Sequence, residues 1–288
     1  MKMKNNGKFR ISGKSRITGN HAGIIGEHNL EIEMSNQSTV ASETGIAIDA
    51  KLNGHLNIEE SNIIGRIAIA TSMNLELTLD GGKIEGTDKG IETEANAKIS
   101  VEAGVISGQT AVETDQNSAT IHMKGGEIRG ENYGILANEG LNLKMNGGKI
   151  SGNTAIISRG ERGINQIVMS DGQLLGGESG IVIEKSHNEH RFSGGEVTGV
   201  TAMSVADYTT IELNGGKFIG SRVGIDAGEV LQLTGSSGRI EGGEFAIVRG
   251  AHGTGPASSV TVNGEIKEKP STRPGIRAGF YVNGKRIM

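Results

Sequence analysis

The residues of this chain whose type and spacing could do chemistry are four carboxylates in two copies of one short pattern. An apolar residue followed by Glu, Thr and a second acid occurs at Ile91 and again 21 residues later at Val112. If the two copies lie side by side as strands, each acid of one stands over an acid of the other. Stacked carboxylates repel one another, and a hard cation such as Ca²⁺ relieves that repulsion through oxygen ligands. The pattern therefore predicts raised pKa values, a bound cation or a basic partner at Glu92, Glu94, Glu113 and Asp115. We expect no cofactor otherwise, and Ca²⁺ at these four residues is the one candidate.

Two further motifs carry chemical residue types, and each has a plainer interpretation. Ser186-His-Asn-Glu-His190 offers two imidazoles and a carboxylate, but the segment is typical of a polar corner, where histidine pairs are usually solvated. Gly7-Lys-Phe-Arg-Ile-Ser-Gly-Lys-Ser15 comes close to a phosphate-binding loop, with five residues between its glycines where that loop has four. We therefore expect neither a metal nor a phosphate at these two motifs.

A repeat of about 22 residues supplies the scaffold that would hold these groups. It is clearest in the run Gly-Gly-x-Ile-x-Gly, which begins at Gly81, Gly125 and Gly147. Looser copies fill the rest of the chain at intervals of 21 to 24 residues. The apolar residues of the successive copies are Ile17, Val40, Ile63, Ile84, Ile106, Ile128, Ile150, Leu174, Val197, Phe218 and Ile240.

Each repeat contains two more strand-like pieces besides this run. One is a small residue followed by an apolar residue, as in Gly134-Ile135. The other alternates apolar and polar residues, as in Leu141-Asn-Leu-Lys-Met145, and this period of two puts its three apolar residues on one face of a strand. Gly and Asn between the pieces suit tight corners. Each repeat is therefore expected to form three short strands.

The pattern predicts an all-β fold, a single-stranded right-handed parallel β-helix of about eleven turns, here called rungs, with three short strands in each. Each rung pairs in parallel with its neighbours, and its inward residues stack into apolar ladders. An antiparallel sandwich does not naturally give eleven equal periods, and no segment has the 3.6-residue period of a helix. We expect the solenoid at residues 1–250. Residues 251–288, which hold all three prolines, are expected to form an irregular cap or an assembly segment that continues the solenoid.

The composition of the chain narrows the classes of partner that it could bind. The 288 residues include 47 Gly, no Cys and no Trp, and 33 acidic against 29 basic residues give a net charge of −4. This balance provides no broad positive field, so we expect no nucleic-acid partner. No run approaches the roughly 18 apolar residues of a membrane helix, so we expect no membrane insertion. The lack of Cys excludes disulfides and thiol catalysis.

The Gly-Gly-x-Ile-x-Gly run, the Gly-Ile step and the Leu-x-Leu-x-Leu piece resemble the passenger repeats of bacterial autotransporters, within the pectin-lyase-like β-helix superfamily. The resemblance spans residues 10–250. It implies the right-handed β-helix and a secreted or cell-surface location of adhesin type. Passengers also carry a signal peptide and a C-terminal membrane barrel, two patterns not found in this sequence.

Enzymes of that superfamily set a further expectation. The lyases of this superfamily use a calcium–carboxylate cluster with an Arg or Lys base, and its hydrolases use Asp pairs. The four carboxylates are the one feature of this sequence that resembles either arrangement. The sequence has no Asp-Asp pair, and the first basic residue predicted on the same face is Arg159, two rungs beyond the carboxylates. We therefore expect that the protein is not an enzyme, and a polysaccharide-active enzyme is the third alternative.

The outward positions of the second strand predict a contact surface. Leu136, Ile157 and Val182 fall there on three consecutive rungs. Three alanines extend this apolar stripe toward the N-terminus: Ala47, Ala68 and Ala70. Such a stripe is typical of a surface that binds a protein or a surface glycan, and equally of positions that a loop covers or that favour β-structure. Our leading expectation is a non-enzymatic, rod-like binding or structural module that makes contacts through this stripe.

The two ends of the coil predict the alternative function, a self-assembling filament subunit. A β-helix leaves unpaired strand edges at both ends, which natural solenoids usually cap. The first and last residues of the chain fall at about the same phase of the repeat, so subunits are expected to stack head to tail unless the C-terminal segment folds over as a cap. The predicted assembly residues are Phe9, Ile11, Phe280, Tyr281, Val282 and Ile287.

Overall fold

The computed structural model of the chain describes residues 1–117, 119–160, 165–185, 187–206, 208–228, 230–249, 252–254, 261–268, 281–282 and 285–286. The chain is an all-β parallel solenoid of about eleven rungs that lie about 22 residues apart, which confirms the predicted fold class. Within the described ranges the backbone forms strands and turns, and none of it is a helix long and apolar enough to cross a membrane.

Strands occupy most of every rung. Near the N-terminus they are short and separate, whereas from Gly54 onward one strand often runs round the corners for 18 to 21 residues. The strands are β1 (Lys2–Met3), β2 (Gly7–Ile11), β3 (Arg16–Gly19), β4 (Ala22–Gly26), β5 (Leu30–Met34), β6 (Thr39–Ser42), β7 (Ile46–Ala50), β8 (Gly54–Thr71), β9 (Leu75–Ala95), β10 (Ala97–Gln116), β11 (Ala119–Met123), β12 (Glu127–Ala137), β13 (Leu141–Ser158), β14 (Gln166–Ile183), β15 (His187–Phe192), β16 (Glu196–Val205), β17 (Tyr208–Ala227), β18 (Val230–Arg249), β19 (His252–Thr254), β20 (Thr261–Glu268), β21 (Tyr281–Val282) and β22 (Lys285–Arg286).

Strands β1 to β20 form one parallel sheet that winds through the whole solenoid. A residue pairs with the residue about 22 places further on, for example Ile84 with Ile106. The eleven apolar residues predicted to share one position pair in succession from Ile17 to Ile240, and Val262 adds a twelfth. The register predicted from the repeat is therefore confirmed.

The parallel pairing continues past residue 250, where the solenoid was expected to end. Strands β19 and β20 pair with β18, and this pairing reaches Glu268. Strands β21 and β22 pair antiparallel with each other as a separate two-stranded sheet. The boundary at residue 250 and the role of residues 251–288 as a cap or an assembly segment stay predictions.

The core is a stack of apolar ladders inside the coil. Leu141, Leu143 and Met145 are at most 1% exposed, as their alternation with polar residues predicts. Met145 stacks directly between Met123 and Met169 of the neighbouring rungs. Burial of each large apolar side chain stabilises the fold by about 1.5–3 kcal/mol. Because neighbouring rungs share every ladder, the stability is cooperative along the stack.

Two kinds of corner join the Gly-Gly-x-Ile-x-Gly strand to the strand after it. The long kind has three residues between a corner Gly and the next small inward residue, as from Gly130 to Gly134. The short kind has two, as from Gly108 to Ala111. A Cβ on Gly130 would lie 1.8 Å from the carbonyl oxygen of Tyr133, whereas one on Gly108 would lie 2.7 Å from the nearest carbonyl oxygen. Both corners therefore require glycine, and the long corner is the tighter of the two.

Short and long corners alternate without a break from Gly65 to Gly220, so this part of the chain has a two-rung repeat of about 44 residues. Over this range the small inward residue is Gly after a long corner and Ala after a short one, whereas the next corner, from Gly242 to Ala246, is long and ends in Ala. A Cβ on Gly134 would lie 2.7 Å from Cγ2 of Ile150 and 2.6 Å from the carbonyl oxygen of Ala155, both in the next rung. The one-rung period predicted from the sequence misses this alternation.

Neighbouring glycines of one long corner provide a matched test. A Cβ on Gly176 would lie 1.9 Å from the carbonyl oxygen of Ser179, whereas the closest atom to a Cβ on Gly177 is the side-chain oxygen of Asn153, at 3.1 Å. We expect Gly176→Ala to lower the free energy of unfolding by about 2 kcal/mol or more, and Gly177→Ala to change it by less than about 0.5 kcal/mol. Urea unfolding followed by circular dichroism measures both, and equal losses would contradict the corner geometry.

Candidate functional site

A column of asparagines runs along the corner that precedes the third strand of each rung. Its members stand immediately before the first inward residue of that strand in five successive rungs. The side-chain amide nitrogen of Asn29 donates to Oδ1 of Asn6 at 2.7 Å, and that of Asn53 donates to Oδ1 of Asn29 at 2.6 Å. Asn74 and Asn96 extend the series with bonds of 2.7 and 3.0 Å. The five side chains form one hydrogen-bonded stack, here called the asparagine column.

The backbone at this corner favours asparagine. Asn29, Asn74 and Asn96 have φ angles of 43°, 51° and 54°, in the left-handed region that Asn adopts more readily than most residues. The corner is also held by the backbone, since the N–H of Leu30 donates to the carbonyl oxygen of Asn53 at 2.8 Å. The corner conformation and the side-chain stack therefore select the same residue.

A groove of about 680 Å³ lies beside the asparagine column and spans its five rungs, a length of about 19 Å at 4.8 Å per rung. Leu30 and Leu75, each 1% exposed, line it from the core side. Its wall is the column of first outward residues on the third strands. These wall residues are Lys8, Glu31, His55, Glu76 and Lys98.

The charged side chains of this wall neutralise one another. Nζ of Lys8 lies 2.5 Å from Oε1 of Glu31, and Nζ of Lys98 lies 2.8 Å from Oε1 of Glu76. Nδ1 of His55 lies 3.3 Å from the other carboxylate oxygen of Glu76. Hydrogen bonding to Glu31 raises the pKa of Lys8, and the hydrogen bond from Lys98 lowers the pKa of Glu76. The two lysines and the two glutamates of the wall therefore cancel in charge.

The asparagine column leaves hydrogen-bonding groups free for a ligand. A side-chain amide has two N–H groups and two oxygen lone pairs, and the column uses one of each at Asn29, Asn53 and Asn74. All five asparagines are exposed to solvent. The groove therefore presents a donor and an acceptor once per rung, which suits a ligand whose polar groups repeat at about 4.8 Å.

Sequence reasoning missed the asparagine column, although its signal is present. Asparagine stands directly before the third-strand piece in five consecutive repeats, at intervals of 21 to 24 residues. Taken singly, each asparagine is typical of a turn residue. The same amide at the same corner of stacked rungs indicates instead that the side chains bond to one another.

The four predicted carboxylates lie on neighbouring rungs. Glu92 pairs in register with Glu113, which confirms their stacking, and the pairs on either side bring Glu94 level with Asp115. Oδ1 of Asp115 accepts a hydrogen bond of 2.6 Å from the amide of Asn138. No group of three or more His, Asp or Glu side chains suited to a metal ion is found in the part of the chain that the structure describes. Calcium binding at these residues stays a prediction.

Lys89 stands between the two stacked glutamates. Its Nζ forms a hydrogen bond with Glu92 and lies 2.9 Å from Oε2 of Glu113. Partial burial lowers the pKa of Lys89, but the hydrogen bonds to the two carboxylates outweigh this, and the pKa is raised. The prediction that Arg159 is the first basic residue on this face is wrong, because Lys89 reaches it from the position three residues before Glu92.

The second strand of each rung bends where two consecutive residues point inward. Ile135 and the glycine before it face the core, whereas Tyr133 and Leu136 on either side point outward. Lys89 and Glu92 hold these two flanking positions in their own rung, and their ion pair shows that flanking side chains converge across the bend. This face is therefore concave.

The concave face makes the predicted exposure of the apolar stripe wrong. Leu136 and Ile157 are only 7% and 6% exposed, and Val182 is half-buried. Arg159 follows the stripe in its rung, and its guanidinium carbon lies 5.9 Å from the ring centroid of Tyr133, on the other side of the bend. The Arg159 side chain therefore crosses over the stripe. Contact of a partner with these residues stays a prediction.

Two of the three alanines predicted to extend the stripe were also placed wrongly. Ala47 and Ala68 are fully buried members of the core, because they occupy the small inward position of the bend. Ala70 takes the outward position that Leu136 takes in its rung, and it is 9% exposed.

The residues predicted to join subunits have different settings. Ile11 is 6% exposed, and Phe9 is partly buried against the core. Tyr281–Val282 form β21 in the separate antiparallel sheet. Phe280 and Ile287 lie outside the described residues. A role in assembly stays a prediction for all of them.

The histidine motif is divided between the two sides of a strand. The predicted corner position is wrong for His190, which points into the core from β15 and is 0% exposed. Glu189 lies on the outer side, where its carboxylate is 2.9 Å from the guanidinium of Arg191. The side chain of His187 lies outside the described part of the structure. His190 and Glu189 therefore cannot share one metal ion.

The fold and the site together define a class, a parallel β-solenoid with a polar groove along one corner. No protein-family model, curated protein or solved structure matches this chain. The resemblance to pectin-lyase-like β-helices and autotransporter passengers is accordingly supported at the level of the solenoid fold alone.

Removal of the positive charge of Lys89 tests its part in the carboxylate stack. In Lys89→Met the two glutamates lose their shared cation, so we expect the free energy of unfolding to fall by about 1 kcal/mol. Lys89→Arg keeps the positive charge, so its free energy of unfolding should fall by less than that of Lys89→Met. Lys83→Met removes an exposed lysine of the same strand, and its free energy of unfolding should not change measurably. Urea unfolding at pH 7 compares the variants, and equal losses in Lys83→Met and Lys89→Met would indicate a general charge effect instead.

Proposed function

We propose that this protein is a non-enzymatic, rod-like binding module that holds an extended, uncharged glycan in the groove beside the asparagine column. The observation that carries the proposal is the repeated amide array, one exposed asparagine per rung over five rungs. A location at the cell surface or outside the cell is part of the proposal, and the resemblance of the repeats to autotransporter passengers supports it.

The spacing of the asparagine column supports a polymeric ligand. The groove extends about 19 Å along the solenoid axis and offers the same pair of polar groups in every rung. A sugar residue in an extended polysaccharide advances by about the length of one rung, and its hydroxyl groups both donate and accept hydrogen bonds. Each free N–H and lone pair of the column can therefore bind one sugar residue in the same way.

The charge of the groove supports a neutral ligand. Both lysines of the wall are bonded to its glutamates, so neither sign is left over for an ionic ligand. Breaking these pairs would leave a carboxylate or an ammonium group without its partner.

Exposure favours the asparagine groove over the apolar stripe as the contact surface. The asparagines of the column are exposed, whereas Leu136 and Ile157 are buried on the concave face of the second strand. A protein partner at Leu136, Ile157 and Val182 would first have to displace Arg159 from Tyr133. The stripe therefore remains a second, covered contact surface in this proposal.

Binding of neutral polysaccharides tests the proposal. Asn53→Ala interrupts the column at its centre, and Asn74→Gly removes the next amide while it tolerates the left-handed backbone of that position. We expect each variant to weaken binding about 10-fold, since each removes ligand hydrogen bonds worth roughly 1 kcal/mol or more. A glycan array finds the ligand, and calorimetry measures its affinity.

The matched control is Asn153→Ala. Asn153 is an exposed asparagine on a short corner and does not line the groove. The Asn153→Ala variant should bind the glycan as tightly as the unchanged protein does. Thermal unfolding of all three variants separates a loss of binding from a loss of fold. Failure of the unchanged protein to bind any neutral glycan, or equal binding by all three variants, would sink the proposal.

One observation favours a second function, end-to-end assembly. The carbonyl oxygen of Ile11 in β2 accepts the N–H of Ser35 from the next rung at 3.0 Å. The backbone groups of Lys8 and Arg10 alternate with it and point the other way, where no strand among the described residues pairs with β2. This free edge offers pairing to a second copy, although its two basic side chains oppose such contact, as edge charges commonly do.

Negative-stain electron microscopy across a concentration series distinguishes the two functions. A binding module should give separate rods about 50 Å long, from eleven rungs at 4.8 Å each. A filament subunit should give long fibres that disappear when residues 275–288 are deleted. Separate rods at every concentration would rule out the filament function.

A further inference from the structure

His190 is a titratable side chain inside an apolar ladder. It is 0% exposed and pairs in register with Ile211 of the next rung. The neighbouring pair Val168–Arg191 places Ile167 of the preceding rung directly against it. An aliphatic residue would fill this position without any polar requirement, so the imidazole ring calls for a separate explanation.

The ring of His190 replaces a backbone hydrogen bond. Its Nδ1 accepts the backbone N–H of Ile167 at 3.3 Å. In a regular parallel ladder a backbone carbonyl of the adjoining strand would accept this N–H, but β15 pairs with β14 through two residue pairs only. The bond requires an unprotonated Nδ1, so the neutral ring carries its hydrogen on Nε2. Nε2 has no hydrogen-bond partner among the described residues.

The described surroundings of the ring offer no charge that would stabilise a proton on it. The inward side chains of β14, β16 and β17 are apolar apart from the buried hydroxyl of Thr209. Glu189 and Arg191 flank His190 on the outer face, bonded to each other, and Arg191 also lies 3.2 Å from Glu212. The other charged side chains described on these strands are at least partly exposed, namely Asp171, Glu178, Glu196, Lys217, Arg222 and Asp226. Burial therefore lowers the pKa of His190 to about 4.

We propose that His190 is an acid-sensitive lock on the contact between β14 and β15. A proton on Nδ1 removes the acceptor of the Ile167 N–H and places an unpaired charge in the apolar core. Opening of this contact relieves both costs, because it exposes the ring to water. The longer pairing of β14 with β16 still joins the two rungs, so the opening stays local to this strand and leaves the asparagine groove unchanged. This inference does not depend on the proposed glycan binding.

Proton linkage fixes the direction of the effect. The closed contact keeps His190 neutral down to about pH 4, whereas an opened contact exposes a histidine with an ordinary pKa near 6.5. Between these values the open state binds a proton that the closed state does not. The closed state is therefore fully stable above about pH 6.5 and loses stability as the pH falls toward about 4. The equilibrium constant for opening should rise about 20-fold from pH 7 to pH 5.

Hydrogen–deuterium exchange of the full chain, read by mass spectrometry at pH 7 and pH 5, tests the lock. After division by the intrinsic exchange rate of each amide, peptides covering residues 166–170 and 187–192 should show the 20-fold rise in opening. His190→Gln keeps an acceptor without a titrating ring, and His190→Leu restores the aliphatic ladder. Both variants should lose the pH dependence at these peptides, so a failure of one to fold leaves the other as the test.

His122→Gln is the matched control, since His122 is a partly exposed histidine on the outer face of β11. It should show the same rise at residues 166–170 and 187–192 as the unchanged protein. The proposal is overturned if opening of the unchanged protein is equal at pH 7 and pH 5, or if His190→Gln or His190→Leu keeps the full rise.

Discussion

The strands of each rung complete their backbone hydrogen bonds with the rungs above and below, so every position is fixed by residues about 22 places away in the chain. No rung can bury its apolar side or satisfy its backbone alone. The sequence meets this constraint by stacking like on like. The Ile84–Ile106 ladder, the methionine stack and the asparagine column are three results of the same demand.

The fold could be predicted because the pairing between rungs requires the same type of residue at the same position of every repeat. The inward position is buried from Val40 to Ile240 and partly buried at Ile17, so all eleven residues are apolar and their period can be counted. The corner alternation was missed because it concerns one residue per rung. Gly130 and Gly108 are both the last glycine of a Gly-x-Ile-x-Gly run. The long corner differs from the short one only in the number of residues between this glycine and the next small inward residue.

The candidate site was harder to predict, because surfaces depend on the bend of the backbone as well as on alternation. A straight strand would have exposed Leu136 and Ile157, but two successive inward residues bring the flanking side chains together and bury them. The same bend carries Lys89 to Glu92 and Glu113. The asparagine column was visible in the sequence, and it was overlooked because a turn residue is normally considered one turn at a time.

Polar groups enter the interior where the chain leaves its regular path. The buried side chain of Asn165 accepts the N–H of Leu141 at 3.0 Å and donates to the carbonyl oxygen of Lys185 at 3.2 Å. Ser158 also donates to Asn165, and His190 accepts a backbone N–H one rung further on. These side chains satisfy backbone groups that a lengthened corner leaves without a strand partner. A rung with extra residues between two of its strands is thereby accommodated in the regular stack.

The alternation of long and short corners sets the unit by which such a chain can change its length during evolution. Between Gly65 and Gly220, a duplicated or deleted segment of one rung would break the alternation by placing two corners of the same kind side by side, as Gly220 and Gly242 do where the alternation ends. A segment of two rungs, about 44 residues, leaves both seams unchanged. We therefore expect the alternating part of the rod to lengthen or shorten by gene segments that encode two rungs.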